Sequence, residues 1–458
     1  MFGKTQKIHF VGVGGIGMSG MAELLHCLGF DISGSDISAS DRTEHLSKLG
    51  IKVFNRHNSK NIGNCDVLVY SSAVNIENDE VKYAKDIGIP VIRRAEMLGE
   101  LMKLKQISIG VSGTHGKTTT SSLLGVILEV AKINPTLVIG GIVNKFNSNA
   151  ISGSGDIIVV EADEFDKTFL QLSPTYSIIN NLDLEHLECY KNIEELQSSF
   201  IKFANSVPFY GKVAICVDHI NTRKIISKIK RPIATFGLHE DAEYQAKNLK
   251  YNKLKTTFDL YKNNEFIIDI SLNIPGLHNI QNALGAIVIA DELNITKKNI
   301  RDGLNQYSGV RRRFQIVEKL NCGTILVDDY AHHPVEVKAT LSSAKQGWDS
   351  RILSIFQPHL YSRTRDFYKD FANAFLLSDI AIFTDIYPAR EKFIEGVNTQ
   401  LIIDELNKLG HPNIIYVPNQ SKIPQKIKEI YKKGDLIITM GAGDIWKQIE
   451  KISEEISI

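Results

Sequence analysis

Two glycine-rich turns constrain this chain more than any other feature. In each, a short apolar run ends in closely spaced glycines and passes at once into helical spacing. The first follows Ile8 to Val13 and carries Gly12, Gly14, Gly15 and Gly17, after which Met18 to Leu28 has helical periodicity until Gly29 stops it. The second follows Ile107 to Val111 and reads Gly113-Thr114-His115-Gly116-Lys117-Thr118-Thr119. A strand that enters a helix through such a turn predicts a parallel sheet covered by helices, with backbone N–H groups aimed at an anion.

The remaining pattern extends this to an α/β chain of three domains. At 458 residues there is room for about three. Further strands are expected at Phe30 to Ser33, Val67 to Tyr70 and Pro90 to Ile92, and the polar stretch Glu100 to Gln106 marks a boundary. Beyond it, strands are expected at Asp156 to Val160, Tyr176 to Ile179 and Val213 to Val217. Short alternating runs from Tyr244 to Ile274 predict an antiparallel patch, and Asn279 to Leu293 a buried helix. After Ser308-Gly309, apolar runs at Thr324 to Val327, Ile352 to Phe356, Ile380 to Phe383, Ile414 to Val417 and Leu436 to Met440 read as a doubly wound sheet. The expected bounds are 1–105, 106–312 and 313–458: a Rossmann-like domain, a P-loop ATPase-like domain and a second Rossmann-like domain.

Chemistry follows from what surrounds the turns. Asp36 stands nineteen positions after Gly17, at the end of the next strand, where a carboxylate can bind a ribose hydroxyl. The first turn therefore reads as a nucleotide or dinucleotide site, without choosing between NAD and a UDP-sugar. In the second turn Lys117 can reach terminal phosphates and the Thr118 hydroxyl can ligate Mg²⁺. Its spacing departs from the usual P-loop, because Val111 stands five positions before Gly116. The strand IIVVEADE follows and gathers Glu161, Asp163 and Glu164 at its end, where a carboxylate can hold Mg²⁺ directly or through water. Together these parts predict ATP chemistry.

Three more clusters follow strands: Asn181 to His186, Asp328 to Pro334, and Gln357-Pro358-His359 with Arg363 and Arg365. Asp329 also reads as a helix N-cap, and the arginines as a carboxylate grip.

Composition narrows the partners. Lys and Arg number 53 against 52 Asp and Glu, a net charge of +1, so no global field recruits nucleic acid or an anionic membrane. No apolar stretch approaches the length of a membrane span and the first residues lack a signal-peptide core, so a cytoplasmic protein is expected. Five scattered cysteines fit reduced, mostly buried thiols.

Taken in order, HFVGVGGIGMSG, SGSD, GTHGKTTT, EADE, PGLHNIQNALGA, GVRRRF, DDYAHHP, FQPHLYSRT, DIYPARE and MGAGDI resemble the Mur ligase family over the whole chain, and within it the alanine-adding branch. The resemblance implies an ATP- and Mg²⁺-dependent ligase joining L-alanine to the lactoyl carboxylate of UDP-N-acetylmuramate. It implies that Gly12, Gly14, Gly15 and Gly17, with Asp36, Ser71 and Ser72, hold the UDP substrate, and that Gly113 to Thr119 hold ATP. Thr118, Glu161 and His186 would organise Mg²⁺. Asn282 would contact adenine, Arg313 and Asp329 the nucleotide, and His359 and Arg363 the amino acid; Lys117, His186 and Arg313 would be catalytic.

Glu185, Phe165, Leu277 and Leu360 depart from residues frequent in the family, the last leaving Arg363 as the grip on the amino-acid carboxylate. A murein tripeptide ligase shares the ATP machinery and the DD-x-AHHP motif, and an NAD-binding oxidoreductase or regulatory protein would use the first turn alone.

Overall fold

The computed structural model describes residues 2–183, 189–389 and 391–457. Three sheets are formed among them. The first contains β1 (Lys7–Val11), β2 (Asp31–Ser35), β3 (Lys52–Phe54), β4 (Val67–Tyr70) and β5 (Val91–Arg93) in the order β3-β2-β1-β4-β5, all parallel. The order reverses at β1, and the glycine turn leaves the carboxyl end of that strand, which is where doubly wound sheets bind ligands. The helix Ile16–Cys27 follows because Met18, Met21, Ala22 and Leu25 recur at helical spacing and bury against the sheet.

The second sheet has ten strands: β6 (Ile107–Ser112), β7 (Thr136–Val143), β8 (Ser148–Ile151), β9 (Ile157–Glu161), β10 (Tyr176–Ile179), β11 (Lys212–Cys216), β12 (Ile233–Gly237), β13 (Tyr244–Asn252), β14 (Lys255–Lys262) and β15 (Glu265–Leu272). Their order is β15-β14-β13-β12-β11-β10-β6-β9-β7-β8. β6 lies between β10 and β9, parallel to both, so the lysine-bearing turn and the acidic strand end emerge side by side. Two-residue links join β13 to β14 and β14 to β15, which only antiparallel neighbours permit. Asn263 and Asn264 both take left-handed backbone angles, φ 51° and 66°, as a tight hairpin turn requires.

The third sheet contains β16 (Gln315–Lys319), β17 (Ile325–Asp329), β18 (Ile352–Phe356), β19 (Ile380–Phe383), β20 (Ile414–Tyr416) and β21 (Leu436–Met440), ordered β16-β17-β21-β18-β19-β20. Only β16 is antiparallel to its neighbour. Buried Phe356, Phe371, Phe375 and Phe383 pack together as one of its cores.

The chain divides into two compact units, Met1–Lys247 with Asp259–Ile270 and Gln281–Ser308, and Asn248–Phe258 with Ser271–Ile280 and Gly309–Ile458. The first two sheets up to β12 belong to the first unit.

The helix Arg94–Met102 buries Leu98, Leu101 and Met102 and ends inside the expected boundary stretch Glu100 to Gln106. One expectation changes. All five cysteines are free, but only Cys65 and Cys216 are buried, and Cys27 is exposed. Among the described residues no helix is long and apolar enough to cross a membrane.

Candidate active site

Backbone geometry builds the first turn. Gly12 has φ 81°, and a Cβ there would lie 3.1 Å from that of Ser71. The N–H groups of Gly12 and Val13 donate to the Ser35 carbonyl at 2.8 and 3.0 Å, and the Gly14 N–H donates to Asp36 Oδ2 at 2.8 Å. Asp36 thus has one oxygen engaged in holding the turn that it follows in sequence. Gly15 caps the helix Ile16–Cys27 with no side-chain partner, leaving its first N–H groups facing outward. Ser71 follows β4 beside this turn, and Ser72 is exposed. Arg94, unmarked by any motif, is half-buried with its guanidinium beside Gly17.

The second turn is cationic at its centre. Gly116, at φ 82°, precedes the helix Lys117–Val130, and a Cβ on it would come within 2.2 Å of Asn282 Oδ1. Asn282 therefore lies against the turn itself. The Lys117 ammonium donates to Glu164 Oε2 at 2.7 Å and to the Gly113 carbonyl at 2.8 Å, with Asp163 Oδ1 at 3.8 Å. Burial alone would lower its pKa, but the Glu164 and Asp163 carboxylates outweigh this and hold it above the ordinary lysine value. Lys117 stays charged.

Residues after β10 brace the turn from below: Asn181 Oδ1 accepts from the His115 N–H at 2.7 Å, and Thr114 Oγ1 exchanges hydrogen bonds with the backbone of Asp183. His115 Nε2 lies 3.8 Å from Asp183 Oδ2. Thr119 is buried at the start of the helix. His186 lies outside the described residues.

Glu161 ends β9 and accepts from the Gly140 N–H at 2.6 Å. Burial raises its pKa, against the pull of that N–H, Lys117 and the Thr118 hydroxyl. Three carboxylates, Glu161, Asp163 and Glu164, thus act on one ammonium. Thr118 and Glu161 offer hard oxygen donors, and the surplus negative charge fits a divalent cation such as Mg²⁺. Among the described residues no three His, Cys, Asp or Glu side chains could hold a metal by themselves. Mg²⁺ takes most of its ligands from phosphate and water, so this is consistent with such an ion.

The two turns meet at one cavity of about 310 Å³, lined on one side by Gly15, Gly17 and Arg94 and on the other by Thr118, Gly140 and Glu161.

In the second unit the strand-end clusters converge on one another. Asp329 is buried and accepts from the Phe314 and Ala331 N–H groups, both at 2.8 Å, and from Thr340 Oγ1 at 3.1 Å. It does not cap a helix: His333 caps Pro334–Gly347 in a reciprocal arrangement with Glu336. Burial pushes Asp329 up to about 6, against the Arg313 charge and the two N–H donors. Arg313 pairs with Glu336 at 3.4 Å. His359 stacks on Tyr387, its ring 5.9 Å away, lies edge-on to His332, and faces Arg363 Nη1 at 3.3 Å. Leu360, at φ 72°, turns the chain into the helix Tyr361–Phe375 that carries Arg363.

A Rossmann-like sheet and a P-loop sheet that open onto a common cavity, followed by a third α/β sheet, define a multidomain nucleotide-binding protein. Three family models cover nearly all of it: "Mur ligase family, catalytic domain" at residues 7–106, "Mur ligase middle domain" at 111–290 and "Mur ligase, glutamate ligase domain" at 312–443. The chain belongs to the Mur ligase family.

It is 44% identical to UDP-N-acetylmuramate–L-alanine ligase of Geotalea daltonii, covering 100% of this chain and 99% of that one. It is 45% identical to the enzyme of that name from Syntrophus aciditrophicus, covering 96% and 92%. The solved UDP-N-acetylmuramate-alanine ligase of Thermotoga maritima superposes with a TM-score of 0.84 at 30% identity, covering 98% of each chain. A murein peptide ligase from Psychrobacter arcticus shares the fold at 23% identity, with a TM-score of 0.71 and 99% of each chain covered.

Proposed function

We propose that this chain is an ATP-dependent ligase that joins L-alanine to the lactoyl carboxylate of UDP-N-acetylmuramate, in the cytoplasm, as a step of peptidoglycan synthesis. The observation that carries the reading is the shared cavity, where a diphosphate-binding helix end and a P-loop face each other across a space of substrate size. The segments 1–105, 106–312 and 313–458 take the UDP substrate, ATP and the amino acid respectively.

The groups at the cavity suit an acyl-phosphate route. The UDP diphosphate sits at the turn of Gly12, Gly14, Gly15 and Gly17, against the start of the helix Ile16–Cys27, with Arg94, Ser71 and Ser72 at hand and Asp36 holding the turn. ATP lies over Gly113 to Thr119, with Asn282 beside Gly116. The lactoyl carboxylate attacks the γ-phosphorus and ADP leaves. Lys117 follows the charge that develops on the transferring phosphoryl group, so its fixed protonation matters more than any proton transfer. Thr118, Glu161 and His186 would hold Mg²⁺, which when bound neutralises phosphate charge. The alanine nitrogen then attacks the acyl carbon and phosphate departs, the amino-acid carboxylate being gripped by Arg363 with His359 alongside. Arg313 and Asp329 would be further nucleotide contacts.

ADP release dependent on UDP-N-acetylmuramate and L-alanine together tests this. Release dependent on the alanyl-glutamyl-diaminopimelate tripeptide instead would assign the chain to peptide recycling. Binding of NAD without ATP turnover would return it to the oxidoreductase reading.

A further inference from the structure

Between the two walls of the cavity lies one buried amide. Asn149 sits on β8, in the hairpin that ends the P-loop sheet, and is 2% exposed. Its Nδ2 donates to the Ile16 carbonyl at 2.8 Å and lies 3.5 Å from the Ile139 carbonyl. Ile16 opens the helix behind the diphosphate turn, and Ile139 lies on β7 next to Gly140, which holds Glu161. Both line the cavity, one from each wall. The Asn149 Oδ1 accepts from Arg42 Nη1 at 3.4 Å, so donor and acceptor ends are both used.

The helix makes room for this side chain. A Cβ on Gly20, one turn beyond Ile16, would stand 2.6 Å from Asn149 Nδ2 and 3.2 Å from the Ala150 Cβ. The fit is therefore a close one between a glycine on the substrate side and an amide on the ATP side.

We propose that Asn149 is a positioning residue that sets the spacing between the two substrates, holding the diphosphate helix at a fixed distance from the strand that orients Glu161. It touches neither ligand. Phosphoryl transfer needs its reacting atoms aligned at about 3–3.5 Å, and a displacement of about 1 Å can cost about a hundredfold in rate. A group that acts only on this alignment changes kcat and leaves each ligand's own binding site intact. The inference rests on the function proposed above.

The test compares wild type, Asn149→Leu, Asn149→Gln and Gly20→Ala. Dissociation constants for ATP and UDP-N-acetylmuramate are measured separately by calorimetry, and kcat by ADP release. Asn149→Leu is expected to lower kcat by about a hundredfold with both dissociation constants unchanged. Asn149→Gln, which retains the donor, recovers part of the rate. Gly20→Ala, which pushes the amide away from a side that Asn149→Leu leaves untouched, gives the same split and serves if the leucine variant fails to fold.

Unchanged kcat in both Asn149→Leu and Gly20→Ala overturns the proposal. So does a loss of affinity for one ligand that matches the loss in kcat, since Asn149 would then belong to that ligand's pocket. A wild-type enzyme that turns over another amino acid or a peptide overturns the assigned reaction alone, and the split is then read on that substrate.

Discussion

The two glycine turns are alike in outline and opposite in charge. Each leaves the carboxyl end of a central parallel strand and opens a helix with a free N-terminus. Around the first, backbone N–H groups face the cavity, one carboxylate is engaged on Gly14, and Arg94 stands at the side. Around the second, a buried ammonium is surrounded by three carboxylates. The first arrangement suits a diphosphate that must be held unchanged. Under the proposed function, the second would take a polyphosphate only with a balancing cation, which would couple nucleotide binding to Mg²⁺. In the proposed function the same local fold would serve a holding site in one sheet and a reacting site in the other, according to which side chains follow the glycines.

The largest effect expected from breaking this difference is at Lys117. Lys117→Ala removes the cation proposed to follow the transferring phosphoryl group and should lower kcat by about a thousandfold, while calorimetry finds UDP-N-acetylmuramate binding retained. Retained turnover would show that the two turns do not divide the labour in this way. Next, Glu161→Gln should raise the Mg²⁺ concentration needed for half-maximal rate by about tenfold to a hundredfold without touching the UDP substrate's affinity, which a Mg²⁺ titration of ADP release reads directly.

Smaller is the effect on the holding site. A Cβ at Gly14 would lie 2.9 Å from Asp36 Oδ2 and 3.2 Å from Thr43 Cγ2. Gly14→Ala should therefore raise KM for the UDP substrate about tenfold, a loss of about 1.4 kcal/mol, with kcat and KM for ATP near their original values. A drop in kcat instead would place the first turn in the chemistry.

The smallest effect expected lies outside both turns. Asp329 titrates near 6 in the folded protein, above its ordinary value of 3.8. Between these values the folded state binds more protons than the unfolded one, so its contribution favours folding at low pH and is lost as pH rises through about 6. Urea unfolding from pH 4 to 7 should show this slope in wild type and a flatter one in Asp329→Asn. Equal slopes would refute it.

Much of this was legible in the sequence because buried parallel strands are continuous apolar runs bounded by glycine and polar turns. β1, β4, β6, β10, β18, β19 and β21 all read that way. The short or edge strands did not: β3 spans Lys52–Phe54, and β16 keeps Glu318 and Lys319 exposed, so neither shows an apolar run. The hairpin β7–β8 also escaped, its pattern broken by Gly140 and Gly141 and by the polar turn between the strands.

That omission hid Asn149, whose role depends on Gly20, a residue far away in sequence. Arg94 was hidden for a related reason, since nothing local marks an arginine at a helix start as facing a distant glycine. The glycine, lysine and carboxylate residues of the P-loop side were visible because their chemistry is packed into a few consecutive positions.

Leu360 sets a different kind of limit on this protein. Its φ of 72° is one that a branched side chain resists, at a cost of about 1–3 kcal/mol, and it lies between His359 and the helix that presents Arg363. Glycine at this position would relieve the strain while loosening the link between the two. Heat resistance and the fixed placing of Arg363 against His359 therefore make opposite demands on this one position.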